Sequence, residues 1–107
     1  MQILVLKANS DHPLNKNTVM NGMKGVVAGY KALNKVKPND KIRILTDTDR
    51  VIHATVNKVD EMPSNDKKVA IYYTQNNQVV WNQGWQKYVG QKLMTGMIVM
   101  DENDLPA

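Results

Sequence analysis

The sequence predicts an α+β fold, with one long N-terminal helix packed on a mostly antiparallel sheet of about five short strands. Two observations lead to this prediction. Apolar residues recur three and four positions apart from Asn17 to about Val36, which is the helical period, whereas several other apolar segments are short and bounded by polar residues. The chain has 107 residues, 42% of them hydrophobic, which suits a single core. We therefore expect residues 1–107 to form one small domain.

The N-terminal part is predicted to contain a buried strand and then the helix. The apolar run Ile3 to Leu6 precedes a polar break and indicates the strand, and Pro38 ends the helix. Gly22, Gly25 and Gly29 lie inside the helical pattern. Three interior glycines cost about 2 to 3 kcal/mol relative to alanine. We expect close packing of this face to compensate, and room for a ligand backbone is the alternative.

The central segment from Lys41 to Val59 is compatible with two structures. Ile42 to Thr46 reads as a strand in both. Val51 to Val59 has apolar residues at helical spacing, so it could form a helix capped at Thr48 or Asp49. The same residues are β-branched and flank TDTD, so they could form a second antiparallel strand. We favour the strand, because the next segments also resemble the strands of a meander.

The C-terminal half is predicted to be mostly strand. Pro63 to Asp66 indicates a turn, and Lys67 to Thr74 alternates as a strand with Val69, Ile71 and Tyr73 on one face. Gln75 to Gln78 is turn-like, after which either a return strand or a helix opening near Asn82 could follow. Met97 to Met100 predicts a last strand, and the acidic tail at residues 101–107 is expected to be mobile.

Composition excludes several classes of site. The absence of Cys rules out disulfides, thiolate zinc sites and cysteine nucleophiles. His12 and His53 are too few for a zinc site, and no glycine-rich phosphate loop or serine nucleophile motif is present. We identify no catalytic residues and predict no cofactor. The N-terminus lacks a basic leader and a long apolar run, so the expected location is the cytoplasm.

Two carboxylates follow the central strand. Asp47 and Asp49 are candidate ligands for a hard divalent cation, because carboxylates projecting from a strand end suit Mg²⁺ or Mn²⁺. Such a site needs further carboxylates, and none lies at a diagnostic spacing. The alternative is that TDTD is a polar turn or a helix cap.

The positive charge is unevenly distributed. The net charge is +4, and between Lys16 and Arg43 there are seven basic residues and one acid. A positive field of this kind attracts phosphate backbones, although a solvated lysine-rich surface is the alternative. The residues that we predict to contact phosphate are Lys35, Lys37, Lys41 and Arg43.

Aromatic residues cluster in the C-terminal half. Five of them lie between Tyr72 and Tyr88 and are flanked by lysines. Aromatic rings interleaved with cations suit single-stranded nucleic acid, because bases stack on the rings while lysines neutralise phosphates. We predict stacking on Trp81, Trp85 and Tyr88. Because the chain has no Phe, at least two of the five are also expected in the core.

The middle of the chain resembles the ribonuclease H-like fold. The resemblance covers residues 26–58, where VVAGYKAL, IRILTD and DRVIHATVNK match a helix, a strand ending in TD and a second helix. It implies that Asp47 corresponds to the metal-binding aspartate of that family. The family's opening Asp-Gly-Ser ligand is absent, and its helical glutamate position falls near Gly22. The resemblance therefore implies an inactive relative.

A second resemblance, in outline, is to the PUA and ASCH-like barrels. VKPNDKIRI looks like the entry into such a barrel, and ILVLKA suits its first strand. This resemblance implies binding of RNA or of a modified base. The family's Gly-x-Lys-x-x-Glu-x-Arg segment is missing here.

The function predicted from the sequence is that of a small accessory protein that binds RNA or single-stranded DNA and does not catalyse a reaction. One alternative is a degenerate ribonuclease H-like, metal-dependent nuclease. The other is a protein-interaction module or homodimer that uses an exposed edge strand or the Trp and Met surface.

Overall fold

A computed structural model of the chain describes residues 2–7, 22, 24–31, 36–46, 49–64, 66–93 and 96–106. These residues form six strands, one α-helix and a short 3-10 helix near the C-terminus. The elements in chain order are β1 (Gln2–Lys7), β2 (Lys24–Tyr30), β3 (Lys41–Leu45), β4 (Arg50–Glu61), β5 (Lys68–Val80), α1 (Gln83–Lys92), β6 (Met97–Asp101) and the 3-10 helix Glu102–Asp104.

All six strands belong to one curled sheet with the order β2-β5-β4-β3-β1-β6. Strands β1 and β3 run parallel, with Leu4 opposite Ile42, and every other neighbouring pair is antiparallel. The consecutive strands β3, β4 and β5 form a meander. Strand β2 lies at the far edge beside β5, so other strands separate it in the sheet from both β1 and β3, its neighbours in the sequence.

The prediction of a long N-terminal helix is wrong. Residues 24–30 form strand β2, and 59% of the described residues are in strands whereas 18% are helical. The fold is mostly sheet, with a short helix in the C-terminal half, and not the predicted α+β arrangement. The other positions of the predicted helix, at residues 17–21, 23 and 32–35, lie outside the described residues.

Two glycines explain why residues with helical apolar spacing form a strand. A Cβ atom at Gly25 would lie 2.5 Å from the hydroxyl oxygen of Tyr73, and one at Gly29 would lie 2.9 Å from Cδ1 of Ile71. The two glycines therefore let β2 lie close against large side chains of β5. The close packing that we expected at these glycines is present on a strand, where residues alternate between the two faces of the sheet.

The sheet buries apolar side chains on both faces. The main core occupies one face and contains Leu4, Leu6, Val36, Ile42, Ile44, Ile52, Ala54, Val56, Val69, Ile71, Tyr73 and Met97. A helix-side core occupies the other face and contains Ile3, Val5, Leu45, Val51, Trp81, Val89, Leu93 and Met100. Alternation along β1 supplies both cores, which is why Ile3–Leu6 appears in the sequence as an unbroken apolar run.

The central segment forms two antiparallel strands, which is the alternative that we favoured over a helix. Residues 50–61 form strand β4, so the helix that the ribonuclease H-like interpretation places at 51–59 is not formed. Strand β5 runs on through residues 75–78, where we predicted a turn. The pairing of β4 with β5 is interrupted by β-bulges between His53 and Ala54 and between Val56 and Lys58. These bulges absorb the breaks in alternation that hid the length of both strands.

Several other predicted elements are confirmed. The first strand, the last strand and the turn after β4 lie where the sequence indicates. Of the two alternatives after residue 78, the helix opening near Asn82 is formed as α1, and the side chain of Asn82 caps it by accepting a hydrogen bond from the Trp85 amide at 2.9 Å. No helix in the described ranges combines the length and apolar character needed to cross a bilayer.

The residues after β6 pack against the sheet. Asp101 caps the 3-10 helix by accepting a hydrogen bond from the Asn103 amide at 2.9 Å, and Leu105 packs on the helix-side core. We refer to residues 101–106 as the C-terminal segment. These contacts give the acidic tail a defined place beside the sheet, and its predicted mobility stays a prediction.

Candidate nucleic-acid interface

Two of the predicted phosphate-contacting residues lie on β3. Lys41 and Arg43 alternate with the buried residues Ile42 and Ile44, so they face the side of the sheet opposite the main core. Lys37 lies in the exposed turn before β3, where its backbone amide donates to the Asp40 carboxylate at 2.9 Å. Lys35 lies outside the described residues. The structure therefore places Lys41 and Arg43 on a common surface.

That surface continues across the sheet. Helix α1 packs over the helix-side core, and beyond it the outward positions of β4, β5 and β2 form a polar and aromatic surface. We call this surface the open sheet face and define it by Lys24, Val26, Ala28, Tyr30, Thr55, Lys58, Asp60, Lys68, Ala70, Tyr72 and Thr74, with Lys41, Arg43 and His53 at its border. Val26 is 51% exposed and Tyr30 is 44% exposed, so this part of the surface is open to ligands.

Strand register arranges the polar residues of this face in rows. Lys24 lies opposite Thr74, Thr74 opposite Thr55, and Thr55 opposite Lys41. With neighbouring strands about 4.8 Å apart, this row of four residues spans about 14 Å. A row with a lysine at each end and hydroxyl groups between them suits an extended anionic chain that crosses the strands.

Tyr72 lines a surface groove. The groove has a volume of about 510 Å³, and Lys24, Asn57, Lys58, Tyr72 and Thr74 are among its lining residues. The Lys58 ammonium lies 4.6 Å from the centroid of the Tyr72 ring. On the same face, the Lys68 ammonium lies 5.1 Å from the centroid of the Tyr30 ring. Each ring therefore lies within cation–π distance of a lysine ammonium.

Amide groups add neutral hydrogen-bonding capacity to the face. The Asn57 side chain donates to the Thr74 hydroxyl, and the Asn76 side chain donates to the Thr55 hydroxyl, each at 2.8 Å. Both asparagines fall at the β-bulges, where an extra residue projects from the strand. Such groups can bind base edges, sugars or phosphate oxygens.

His53 lies between Arg43 on β3 and Asn77 on β5. Burial lowers the pKa of His53 to about 4, and the positive charges of Arg43 and Lys41 act in the same direction. The imidazole is therefore neutral near pH 7. Burial also lowers the pKa of Arg43, and the nearby Glu102 carboxylate opposes this shift.

The three predicted stacking residues separate into two environments. Trp81 is only 2% exposed and belongs to the helix-side core, so its ring is not accessible to a base. Trp85 and Tyr88 are exposed on α1 and line a second groove, of about 470 Å³, together with Asn103 and Asp104. This groove lies beside the C-terminal segment rather than on the open sheet face.

The C-terminal segment lies between the two surfaces. Asn103 lines the groove of Trp85 and Tyr88 and also a smaller groove that is lined by Arg43 and Glu102. Glu102 Oε1 lies 3.3 Å from Lys41 Nζ. The predicted basic and aromatic residues are therefore not brought into one site, because an acidic segment separates them.

The predicted metal ligands do not form a site among the described residues. Asp49 is exposed, and its backbone carbonyl accepts a hydrogen bond from the Trp81 amide at 3.0 Å. Asp47 lies outside the described residues. In the described ranges, no three His, Asp or Glu side chains converge as a metal site would require.

Sequence reasoning missed most of the open sheet face. Tyr72 was recognised as part of the aromatic cluster, but Lys24 and Tyr30 were assigned to a helix, and Lys58 lay in the segment of uncertain structure. The alternation of Lys24, Val26, Ala28 and Tyr30 was the available signal. This alternation is difficult to recognise in the sequence, because Gly25, Val27 and Gly29 lie between these residues and give the segment apolar residues three and four positions apart.

Neither protein-family models, nor curated proteins, nor solved structures give a match to this chain.

Proposed function

We propose that the protein binds single-stranded nucleic acid, RNA or DNA, on the open sheet face and does not catalyse a reaction on it. The observation that carries the proposal is the groove that Tyr72 lines together with Lys24 and Lys58, with the Lys58 ammonium over the Tyr72 ring. An aromatic ring flanked by cations on a sheet surface offers a base a stacking partner and its phosphates two positive charges.

The charge of the face supports a polyanion. The basic residues on the open sheet face and its border are Lys24, Lys41, Arg43, Lys58 and Lys68. Among the residues that define the open sheet face, Asp60 is acidic, and its carboxylate is 3.2 Å from Lys58 Nζ. The excess of positive charge supplies sequence-independent affinity for phosphate.

A base can stack on either ring only if the lysine ammonium that lies over the ring moves aside. A base that stacks on Tyr72 takes the place of the Lys58 ammonium over the ring. Lys58 has an exposed side chain and a flexible stem, so its ammonium can turn to a phosphate of the same nucleotide. The cation remains paired, and the ring exchanges a cation–π contact for base stacking, which contributes about 1 to 3 kcal/mol per base.

The outline resemblance of the sequence to PUA and ASCH-like barrels is in line with a binding role. The open sheet face holds stacking, cationic and hydrogen-bonding groups, which are the groups that a binding surface needs. The proposal therefore concerns binding alone.

Fluorescence anisotropy with a labelled 12-nucleotide oligo(dT) or oligo(U), measured across salt concentration, tests the proposal. We expect binding that weakens as salt rises, because each neutralised phosphate of a single strand contributes a slope of about −0.7 in a log–log plot. Tyr72→Leu removes the ring and should weaken binding about tenfold. Lys58→Gln should reduce the salt slope by about 0.7.

Lys87→Gln is the matched control for Lys58→Gln. Lys87 is exposed on α1, outside the residues that define the open sheet face, and the two substitutions change the net charge equally. If Lys87→Gln lowers affinity as much as Lys58→Gln, or if Tyr72→Leu binds as tightly as the unmodified protein, then the open sheet face is not the binding surface.

A further inference from the structure

The groove between α1 and the C-terminal segment has a different character from the open sheet face. Trp85 and Tyr88 lie one helical turn apart with their ring centroids at 5.8 Å and their planes at 82°. Trp85 is 38% exposed and Tyr88 is 46% exposed. The groove therefore presents two exposed aromatic rings at nearly right angles.

The polar lining of this groove is neutral or acidic. Asp104 and the amides of Asn82 and Asn103 complete the described lining, and none of these groups is basic. Glu102 belongs to the same 3-10 helix as Asp104. A phosphate is disfavoured beside these carboxylates, whereas a cation gains from both the carboxylate charge and the aromatic ring faces.

The protein already holds a cation at one of the two rings. The Lys92 ammonium lies 4.9 Å from the centroid of the Tyr88 ring. This distance is within the range at which an ammonium group is attracted to an aromatic ring. The contact shows that the Tyr88 ring is accessible to a positive charge, and it identifies Lys92 as an intramolecular competitor for a ligand.

We propose that the groove of Trp85, Tyr88 and Asp104 binds a small organic cation with an alkylated ammonium group, such as the trimethylammonium group of choline. A groove of about 470 Å³ holds a ligand of this size. The methyl groups contact the rings, the positive charge lies near the ring faces, and the Asp104 carboxylate supplies the counter-charge. Binding here is independent of nucleic-acid binding on the open sheet face.

Choline is the probe, and 3,3-dimethylbutan-1-ol is its uncharged control of the same shape. The measurement is the movement of the two indole N–H signals in a ¹H–¹⁵N spectrum during titration. The Trp85 signal should move with a Kd of about 1 to 10 mM. The Trp81 signal should stay in place, because Trp81 is buried in the core and reports on any general perturbation.

Single substitutions measure the separate contributions of the Tyr88 ring, the Asp104 carboxylate and the competing Lys92 to choline affinity. Tyr88→Leu should weaken choline binding at least about fivefold, whereas Tyr88→Phe keeps the ring and should bind like the unmodified protein. Asp104→Asn should weaken binding and reduce its salt dependence. Lys92→Gln should strengthen binding two- to fivefold, because it frees the Tyr88 ring and removes a repelling charge.

Three results would overturn the inference. One is equal binding of choline and the uncharged alcohol, which would show an apolar groove without selectivity for a cation. Another is unchanged choline affinity in Tyr88→Leu with both indole signals in their native positions. The third is a Trp85 signal that does not respond to choline at concentrations about tenfold above the expected Kd.

Discussion

The hydroxyl oxygen of Tyr73 occupies the space that a side chain at Gly25 would need, with 2.5 Å between that oxygen and the position of a Cβ atom. Tyr73 is 2% exposed and lies in the main core, so its ring cannot move aside without disturbing the packing around it. We predict that Gly25→Ala lowers the free energy of unfolding by about 1 to 3 kcal/mol. Urea denaturation followed by circular dichroism measures the change.

Gly90→Ala is the control for this prediction. Gly90 lies inside α1, and an added Cβ atom there meets nothing within 4 Å. Because alanine favours a helix interior over glycine, Gly90→Ala should raise the free energy of unfolding by about 0.5 to 1 kcal/mol. The same substitution thus has opposite effects at the two sites, and a loss of stability at both would contradict the close approach of β2 to Tyr73.

The stability of the protein should depend on pH through His53. The pKa of His53 falls from 6.5 to about 4 on folding, chiefly because of burial. The unfolded chain therefore binds a proton near pH 6.5, whereas the folded chain binds it only near pH 4. Stability contributed by the neutral imidazole is present above pH 6.5 and is lost as the pH falls towards 4.

The partial exposure of His53 reduces the size of this effect. Solvent screening leaves an expected loss of about 1 to 2 kcal/mol between pH 7 and pH 4.5. Urea denaturation of the unmodified protein and of His53→Gln at several pH values isolates the contribution, because the other titrating groups are common to both. Parallel stability profiles for the two proteins would show that His53 does not titrate in this way.

The two tryptophans should differ in solvent access. Trp81 is 2% exposed, whereas Trp85 is 38% exposed. Trp85→Phe leaves the buried indole as the only tryptophan, and its emission should be blue-shifted and resistant to acrylamide quenching. Trp81→Phe leaves the exposed indole, whose emission should be red-shifted and readily quenched. Equal quenching in the two variants would contradict the placement of Trp81 in the helix-side core.

Glu102 should weaken nucleic-acid binding at the border of the open sheet face. Its carboxylate lies 3.3 Å from Lys41 Nζ and acts electrostatically on Arg43, so it competes with phosphate for both. We predict that Glu102→Gln raises oligonucleotide affinity two- to fivefold and changes stability by less than about 1 kcal/mol, since the ion pair is exposed. Anisotropy titrations at low salt measure the affinity.

Glu61→Gln controls for the change in net charge. Glu61 pairs with Lys31 at 3.6 Å near the end of β4, and its loss changes the net charge by the same amount. We expect a smaller gain in affinity from Glu61→Gln than from Glu102→Gln. Equal gains would assign the effect to net charge and not to competition at Lys41 and Arg43.

The local sequence pattern predicts strands that alternate between apolar and polar residues, and elements whose ends are marked by polar or turn-forming residues. The apolar run of β1, the alternation at the start of β5 and the turn after β4 were readable because each depends on adjacent residues. Strand β2 was not, because its strand character depends on Gly25 and Gly29 fitting against Tyr73 and Ile71, which lie more than 40 residues away. That fit is a tertiary contact.

The candidate site was predicted only in part for the same reason. Lys41 and Arg43 could be placed because the strand that carries them is short and regular. The groove around Tyr72 combines residues of β2, β4 and β5, and its composition follows from strand register across two bulges. Trp81 and Trp85 are four residues apart, and only the packing of α1 on the sheet decides which one is buried.

The edge position of β2 has a consequence for the order of folding. Among the described strands, β2 pairs only with β5, and the paired residues run from Lys24 opposite Thr74 to Tyr30 opposite Lys68, so β2 has no sheet partner until this distant segment of the chain reaches it. Such late, non-local pairing is typical of domains that fold in milliseconds to seconds. Hydrogen exchange should therefore be faster at the amides of β2 than at those of the interior strands β4 and β5, and the surface around Tyr72 is complete only once β2 has paired with β5.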